Sequence, residues 1–256
     1  MPPIRKGDGT PVTPKGISQI RTGDGRILFD GPAIPDSGVF QDAILQWYAG
    51  EGINVDDGQA TDGWNDILEE LTATDEGSPT FREDQNGKEA VEYDGTDDGH
   101  DFDPTGFPTG NDPWSFAMVV YKRDISNRQQ FFGWGDHGTT PQSWSLRFRD
   151  GELEMNLRGS GTEASYSNLN ADEWVTMGAS FAGGSNGDVK LFYNGSQVDS
   201  GTPENDPDIQ DINHSFGYRG GNNDEYMDGF INEVLVSNNE EDSNAFDEFH
   251  DSRLGD

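Results

Sequence analysis

The chain contains no cysteine. That excludes a disulfide framework, a thiolate nucleophile and a thiolate metal site. Lysine is also scarce, at five residues in 256 (Lys6, Lys15, Lys88, Lys122 and Lys190), and arginine outnumbers it. No segment approaches the roughly 20 apolar residues of a membrane-spanning helix, and the opening MPPIRKGDGTPV lacks the apolar core of a signal peptide. The expectation is a protein made in the cytoplasm, with no membrane span and no export by a signal peptide. No P-loop of the form G-x-x-x-x-G-K-[ST] occurs. His100, His137, His214 and His250 are scattered without metal-like spacing, so an enzyme is not expected.

Acid dominates what is present. There are 49 Asp and Glu against 16 Lys and Arg, a formal net charge of −33. Self-repulsion at this density destabilises a compact state in ordinary buffer. At molar salt the Debye length falls to roughly 3 Å and most of that repulsion is screened, which points to a halophile's protein. The same charge disfavours nucleic acid as a partner. Hydrophobic residues make up only 31% of the chain, yet aromatics reach 11%, so the core is built from few but large side chains. Low hydrophobicity with high charge is the composition of disorder. Here the aromatics fall in alternating runs, which implies a folded domain with an acidic coat.

The charge is not uniform. Up to Asp30 there are five bases and three acids, a net of +2, and the remainder carries −35. Pro2, Pro3, Pro11, Pro14, Pro32 and Pro35 argue against helix there. We read residues 1–38 as an extended docking arm with one short strand near Arg26–Phe29, and residues 39–256 as the folded domain. Arg5, Ile17, Ile20, Arg21, Arg26 and Phe29 are the arm's candidate docking residues.

Beyond the arm, FQDAILQWY (residues 40–48) reads as a first strand or a helical turn running into one, and Trp64–Thr74 has helical spacing but equally suits a loop. Trp114–Tyr121, Gln129–Trp134, Ser143–Arg149, Glu152–Arg158, Trp174–Phe181 and Asp188–Tyr193 read as strands, several of them alternating. Asp150-Gly151 and Asn194-Gly195 supply hairpin turns. His214–Tyr218 and Gly229–Ser237 are placed at the sheet edges, and Ser243 as the N-cap of a closing amphipathic helix. Turn signals at intervals of roughly 8–12 residues mean an all-β, antiparallel β-sandwich with a short C-terminal helix.

The pattern of Trp47, then Trp64-Asn65-Asp66, then KEAVEYDGTDD (88–98), then DVKLFYNGSQV (188–198) and DGFINEVLVS (228–237) resembles the laminin-G-like, concanavalin A-like jelly roll over residues 40–254. The resemblance implies two packed antiparallel sheets and a role in adhesion or glycan binding. It also implies one structural Ca²⁺ near the strand ends, with Asp66, Asp94, Asp98, Asp228 and Glu233 as candidate ligands. Some jelly rolls are endoglucanases whose strand reads E-x-D-x-x-E. The nearest segment here, Glu152-Leu153-Glu154, lacks the third acid.

A sugar site needs an exposed ring flanked by hydrogen-bonding groups. Loop aromatics with such neighbours are Trp134, Tyr166, Tyr218 and Tyr226. The candidate ligand residues are Trp134, Asp136, His137, Tyr218, Arg219, Asn222, Asn223 and Asp224, with residues 219–224 foremost. The sequons at Asn194 and Asn213 are expected to be unmodified. These readings converge on a non-enzymatic virion surface protein, a homo-oligomer (trimer or pentamer) docked to other virion proteins through its arm. It would project its sandwich toward a host surface glycan or S-layer glycoprotein. The alternatives are a secreted or cell-surface lectin of a halophile and a jelly-roll glycoside hydrolase.

Overall fold

The computed structural model describes residues 19–21, 27–30, 40, 43–68, 71–104, 106–222 and 224–255. Two compact units emerge, residues 1–34 and 35–256. In the first, β1 (Gln19–Arg21) pairs antiparallel with β2 (Ile27–Asp30), so Ile20, Arg21 and Phe29 fall in a two-stranded hairpin. Arg5, Ile17 and Arg26 lie outside the described residues.

In the second unit, β3 (Ala43–Tyr48) leads through the short α1 (Ala49–Gly52) to β4 (Trp64–Asn65) and β5 (Thr72–Glu76). Next come β6 (Thr80–Gln85), β7 (Lys88–Asp94), β8 (Gly99–Phe102), β9 (Trp114–Lys122) and β10 (Gln129–Gly135). Then follow β11 (Ser143–Arg149), β12 (Glu152–Leu157), β13 (Gly161–Tyr166), β14 (Trp174–Phe181) and β15 (Val189–Tyr193). The chain finishes with β16 (Ser196–Gly201), β17 (His214–Phe216), β18 (Asp228–Ser237) and α2 (Ser243–Leu254). One sheet runs β13-β12-β11-β10-β17-β8-β5-β4, and the other β16-β15-β14-β9-β18-β7-β6 with β3 also on β18. The expected antiparallel sandwich is present, and the closing helix with it.

Alternation fixes which side chains meet between the sheets. The β11–β12 hairpin sets Trp144, Leu146 and Phe148 opposite Leu157, Met155 and Leu153, as the sequence predicts. Its turn residues Asp150 and Gly151 both have positive φ, 53° and 90°. Trp114 packs against Trp134 and Trp144 at ring distances of 5.1 and 5.3 Å, and Trp47 against Phe102 and Phe216 at 4.7 and 5.2 Å. A few bulky rings thus fill the interior of an acid-rich chain.

Of the helix and the loop left open for Trp64–Thr74, the described residues do not take the helix: β4 leads back into β5, and Asp66 N donates to Leu71 O at 2.6 Å while its carboxylate accepts from Gln46 N and Leu68 N. Two expectations need correction. Strands β17 and β18 are central rather than edge strands, β18 pairing with β9 on one side and with β7 and β3 on the other. Side chains apolar on both faces suit that position. The helix cap is Asp242, not Ser243: its Oδ1 accepts from Asn244 N and Ala245 N at 2.9 and 3.1 Å.

Candidate functional site

The loop between β17 and β18 builds the site. It leaves the sheet at Gly217, whose φ is 82° and whose missing side chain leaves room for the Tyr93 ring. It then folds over the outer face of the β10–β17 sheet. Gly217 N donates to Phe131 O at 3.0 Å, Gly220 N to Ser215 Oγ at 3.0 Å, and Gln130 N to Glu225 O at 2.8 Å. Arg219 clamps the loop by ion-pairing with both Asp224 and Glu225, and Arg128 Nη2 lies 3.0 Å from Glu225 Oε1.

Within this loop two tyrosines stack. The Tyr218 ring is buried flat against Gly99 on β8, where any side chain would collide with it. Its hydroxyl donates to Asp101, and burial together with that bond pushes the Tyr218 pKa upward. Tyr226 lies on the outer side of Tyr218, with centroids 5.5 Å apart and planes 6° from parallel. Tyr226 is partly exposed and lines a cleft of about 340 Å³ with Asp94, Asp124, Asn127, Arg128, Asp224, Glu225 and Asp228. A ring held rigid from behind can receive the apolar face of a flat ligand without losing further side-chain freedom.

The cleft is electrostatically negative. Burial, then Glu76, Asp97 and Asp224, raise the Tyr226 pKa. Beside it, the carboxylates of Asp94, Asp97 and Asp98 have oxygens all within 4.8 Å of one another. Burial, with Asp94 and Asp97 nearby, holds the Asp98 carboxyl above the usual range. A hard cation with oxygen ligands would relieve that repulsion, so these residues fit Ca²⁺.

The structure sorts the sequence candidates. Trp134 is buried between the sheets with Nε1 donating to Pro108 O at 3.0 Å, so it offers no face to a ligand. Tyr218 is also buried, but it backs Tyr226. Asp224 reaches the cleft. Arg219 is spent on its two carboxylates, and Asn222 Oδ1, in the orientation that satisfies its amide, accepts from Arg219 Nε. Asp136 turns onto Gly138 N and Thr139 Oγ1 at 2.7 and 2.8 Å, outside the cleft lining. His137 is buried too, its pKa brought down to about 4 by burial and then by Arg219 and Arg158. Asn223 lies outside the described residues.

Among the metal candidates, Asp94 and Asp98 come together. Asp228 instead pairs with Arg123 at 2.6 Å. Asp66 and Glu233 are both buried and converge on Gln46, whose backbone N serves Asp66 and whose Nε2 serves Glu233 at 2.6 Å. Arg253 donates to both Glu233 oxygens at 2.7 and 3.0 Å. Glu154 of the strand once considered for hydrolysis accepts from Arg147 Nε and Nη2 at 2.9 and 2.8 Å. Asp97, in the same YDGTDDG turn, joins Asp94 and Asp98, while Asn127 and Arg128 escaped the sequence reading. The Asp124–Arg128 turn after β9 was their one signal.

A family model, Laminin_G_3 of the concanavalin A-like lectin/glucanases superfamily, matches residues 94–242. No curated protein matches the sequence. Among solved structures, domain 4 of AbnA, a GH43 extracellular arabinanase from Geobacillus stearothermophilus in complex with arabinotriose, is similar at TM-score 0.59 and 16% identity, over 82% of this chain and 100% of that one. The binding domain of botulinum neurotoxin DC in complex with SialylT is similar at 0.62 and 10%, over 84% of this chain and 52% of that one. A mutant Trypanosoma rangeli sialidase displaying trans-sialidase activity is similar at 0.55 and 12%, over 85% and 33%. The chain thus spans the whole arabinanase domain but about half of the neurotoxin domain and a third of the sialidase. At these identities the likeness is one of fold.

Proposed function

The chain belongs to the concanavalin A-like lectin/glucanases superfamily, and from that premise we propose that it is a non-catalytic carbohydrate-binding domain whose site is the Tyr226 cleft. The observation that carries this reading is the Tyr226–Tyr218 stack, 5.5 Å apart and near parallel, at the edge of a cleft lined by carboxylates, an amide and a guanidinium. Sugars present an apolar ring face and paired hydroxyls. The ring stacks on Tyr226 while Asp94, Asp224 and Asn127 take the hydroxyl hydrogen bonds. The arabinotriose and SialylT complexes of proteins sharing the fold support a glycan as the class of ligand. Non-catalytic action is supported by Glu154, whose Oε2 is committed to Arg147.

Glycan-array binding in molar salt tests the site. Tyr226→Ala should lower affinity at least about tenfold, the loss expected of a central aromatic anchor, with the thermal midpoint nearly unchanged. Full binding by this variant would sink the assignment.

The finer proposal is display on a virion, with residues 1–38 as the docking arm and a host glycan or glycoprotein as the target. It is supported by the step from a net +2 up to Asp30 to −35 beyond it. Immunogold labelling of purified particles tests that placement, and unlabelled particles would leave the cellular lectin.

A further inference from the structure

We propose that the Tyr226 cleft selects saccharides bearing a free amino group and rejects those bearing a carboxylate. This deepens the carbohydrate-binding reading and rests on it. Five carboxylates line the cleft, from Asp94, Asp124, Asp224, Glu225 and Asp228. The one lining guanidinium, Arg128, is held by Glu225. The two arginines just behind the lining are committed as well. Arg123 serves Asp228 and Glu92, and Arg219 serves Asp224 and Glu225. An acidic sugar therefore meets no uncommitted cation among the described lining residues.

An ammonium meets the opposite situation. Asp94 accepts only from the backbone of its own turn, Thr96 N at 2.7 Å and Asp97 N at 3.4 Å. Asp124 accepts only from Ser126 and Asn127 beside it. Among the described residues neither makes an ion pair, so each keeps acceptor capacity for an ammonium's three donors. The face of Tyr226 adds an electron-rich surface that favours a cation over an anion. Contact pairs of this kind outlast the screening that molar salt imposes on longer-range forces.

Isothermal titration of the whole chain with the methyl glycosides of glucosamine, N-acetylglucosamine and glucuronic acid, in about 1 M salt with chelator, tests this. At pH 6.5 the amine should bind about tenfold tighter than the N-acetyl form, and the uronate weakest. At pH 9.5, above the amino group's pKa of about 8, the preference should vanish. Asp94→Asn should narrow it, and Tyr226→Ala should weaken all three ligands. Uronate binding as tight as the N-acetyl sugar, an amine preference surviving at pH 9.5, or a preference untouched by Asp94→Asn would each overturn the inference and leave carbohydrate binding standing. If none of the three binds, and a wider glycan array is also silent, the carbohydrate reading itself fails.

Discussion

The two sheets cover their outer faces in opposite ways. On the β9–β14 sheet the cover is α2, whose Phe246 stacks on Phe192 at 3.7 Å and meets Phe40 at 5.1 Å, with Phe249 alongside. On the β10–β17 sheet the cover is the 217–227 loop, held by Arg219, Asp224, Glu225 and backbone hydrogen bonds. Apolar burial is non-directional and survives in any salt, so the first cover only needs bulk. The second needs geometry, and geometry exposes Tyr226 with its polar neighbours. The difference teaches where to look for function: the polar cover carries the chemistry and the aromatic cover holds the fold.

The largest expected effect breaks the aromatic side. Phe246→Ala should cost about 3–5 kcal/mol, the range for truncating a buried aromatic. Urea unfolding in molar salt measures it, and glycan affinity of the folded fraction should not move. If affinity fell with stability, the two covers would not be independent.

Next comes the clamp of the polar cover. Arg219→Ala leaves Asp224 and the nearly buried Glu225 without their shared partner. Breaking a buried pair costs about 3–5 kcal/mol, and Arg219's own partial exposure sets the loss near the lower end. Hydrogen exchange should locate the loosening in residues 217–227 and spare α2. Uniform deprotection across both sheets would refute the division.

The aromatic side was legible and the polar side was not. Alternation in β9, β11 and β12, the positive-φ pairs Asp150-Gly151 and Asn194-Gly195, and the spacing of Phe246 and Phe249 are local signals, and each led to the element found. Ladder order was not local, so β17 and β18 were placed at the edges although their pairings put them inside. The site failed for a related reason. Acids at Asp66, Asp94, Asp98, Asp228 and Glu233 look alike in sequence. Only the fold brings Arg253 to Glu233 and Arg123 to Asp228, whereas Asp94, Asp97 and Asp98 share one turn of the sequence. Tyr218 and Tyr226 were equally indistinguishable until Gly99 placed one ring beneath the other.

The smallest effect sharpens the contrast at the Asp94–Asp97–Asp98 cluster, which adjoins the polar side through the field of Asp97 on Tyr226. If Ca²⁺ binds there at about ten times its dissociation constant, it stabilises the folded state by about 1.4 kcal/mol. For a domain of this size that is a shift of roughly 3–5 °C in thermal midpoint. Chelation in molar monovalent salt should produce that drop, and calcium should restore it where magnesium, with its smaller and stiffer octahedral shell, does not. Asp98→Asn should abolish the response at a cost of about 1 kcal/mol to the apo protein, because its amide oxygen keeps Ser78 N and loses Asp94 N, while the repulsion from Asp94 and Asp97 falls. A calcium response that persists in Asp98→Asn would move the ion elsewhere on the acidic surface. Equal responses to calcium and magnesium would reduce it to general screening. If the response stays specific and hydrogen exchange slows only around residues 94–98 and 217–227, the cation belongs to the cover that carries the chemistry.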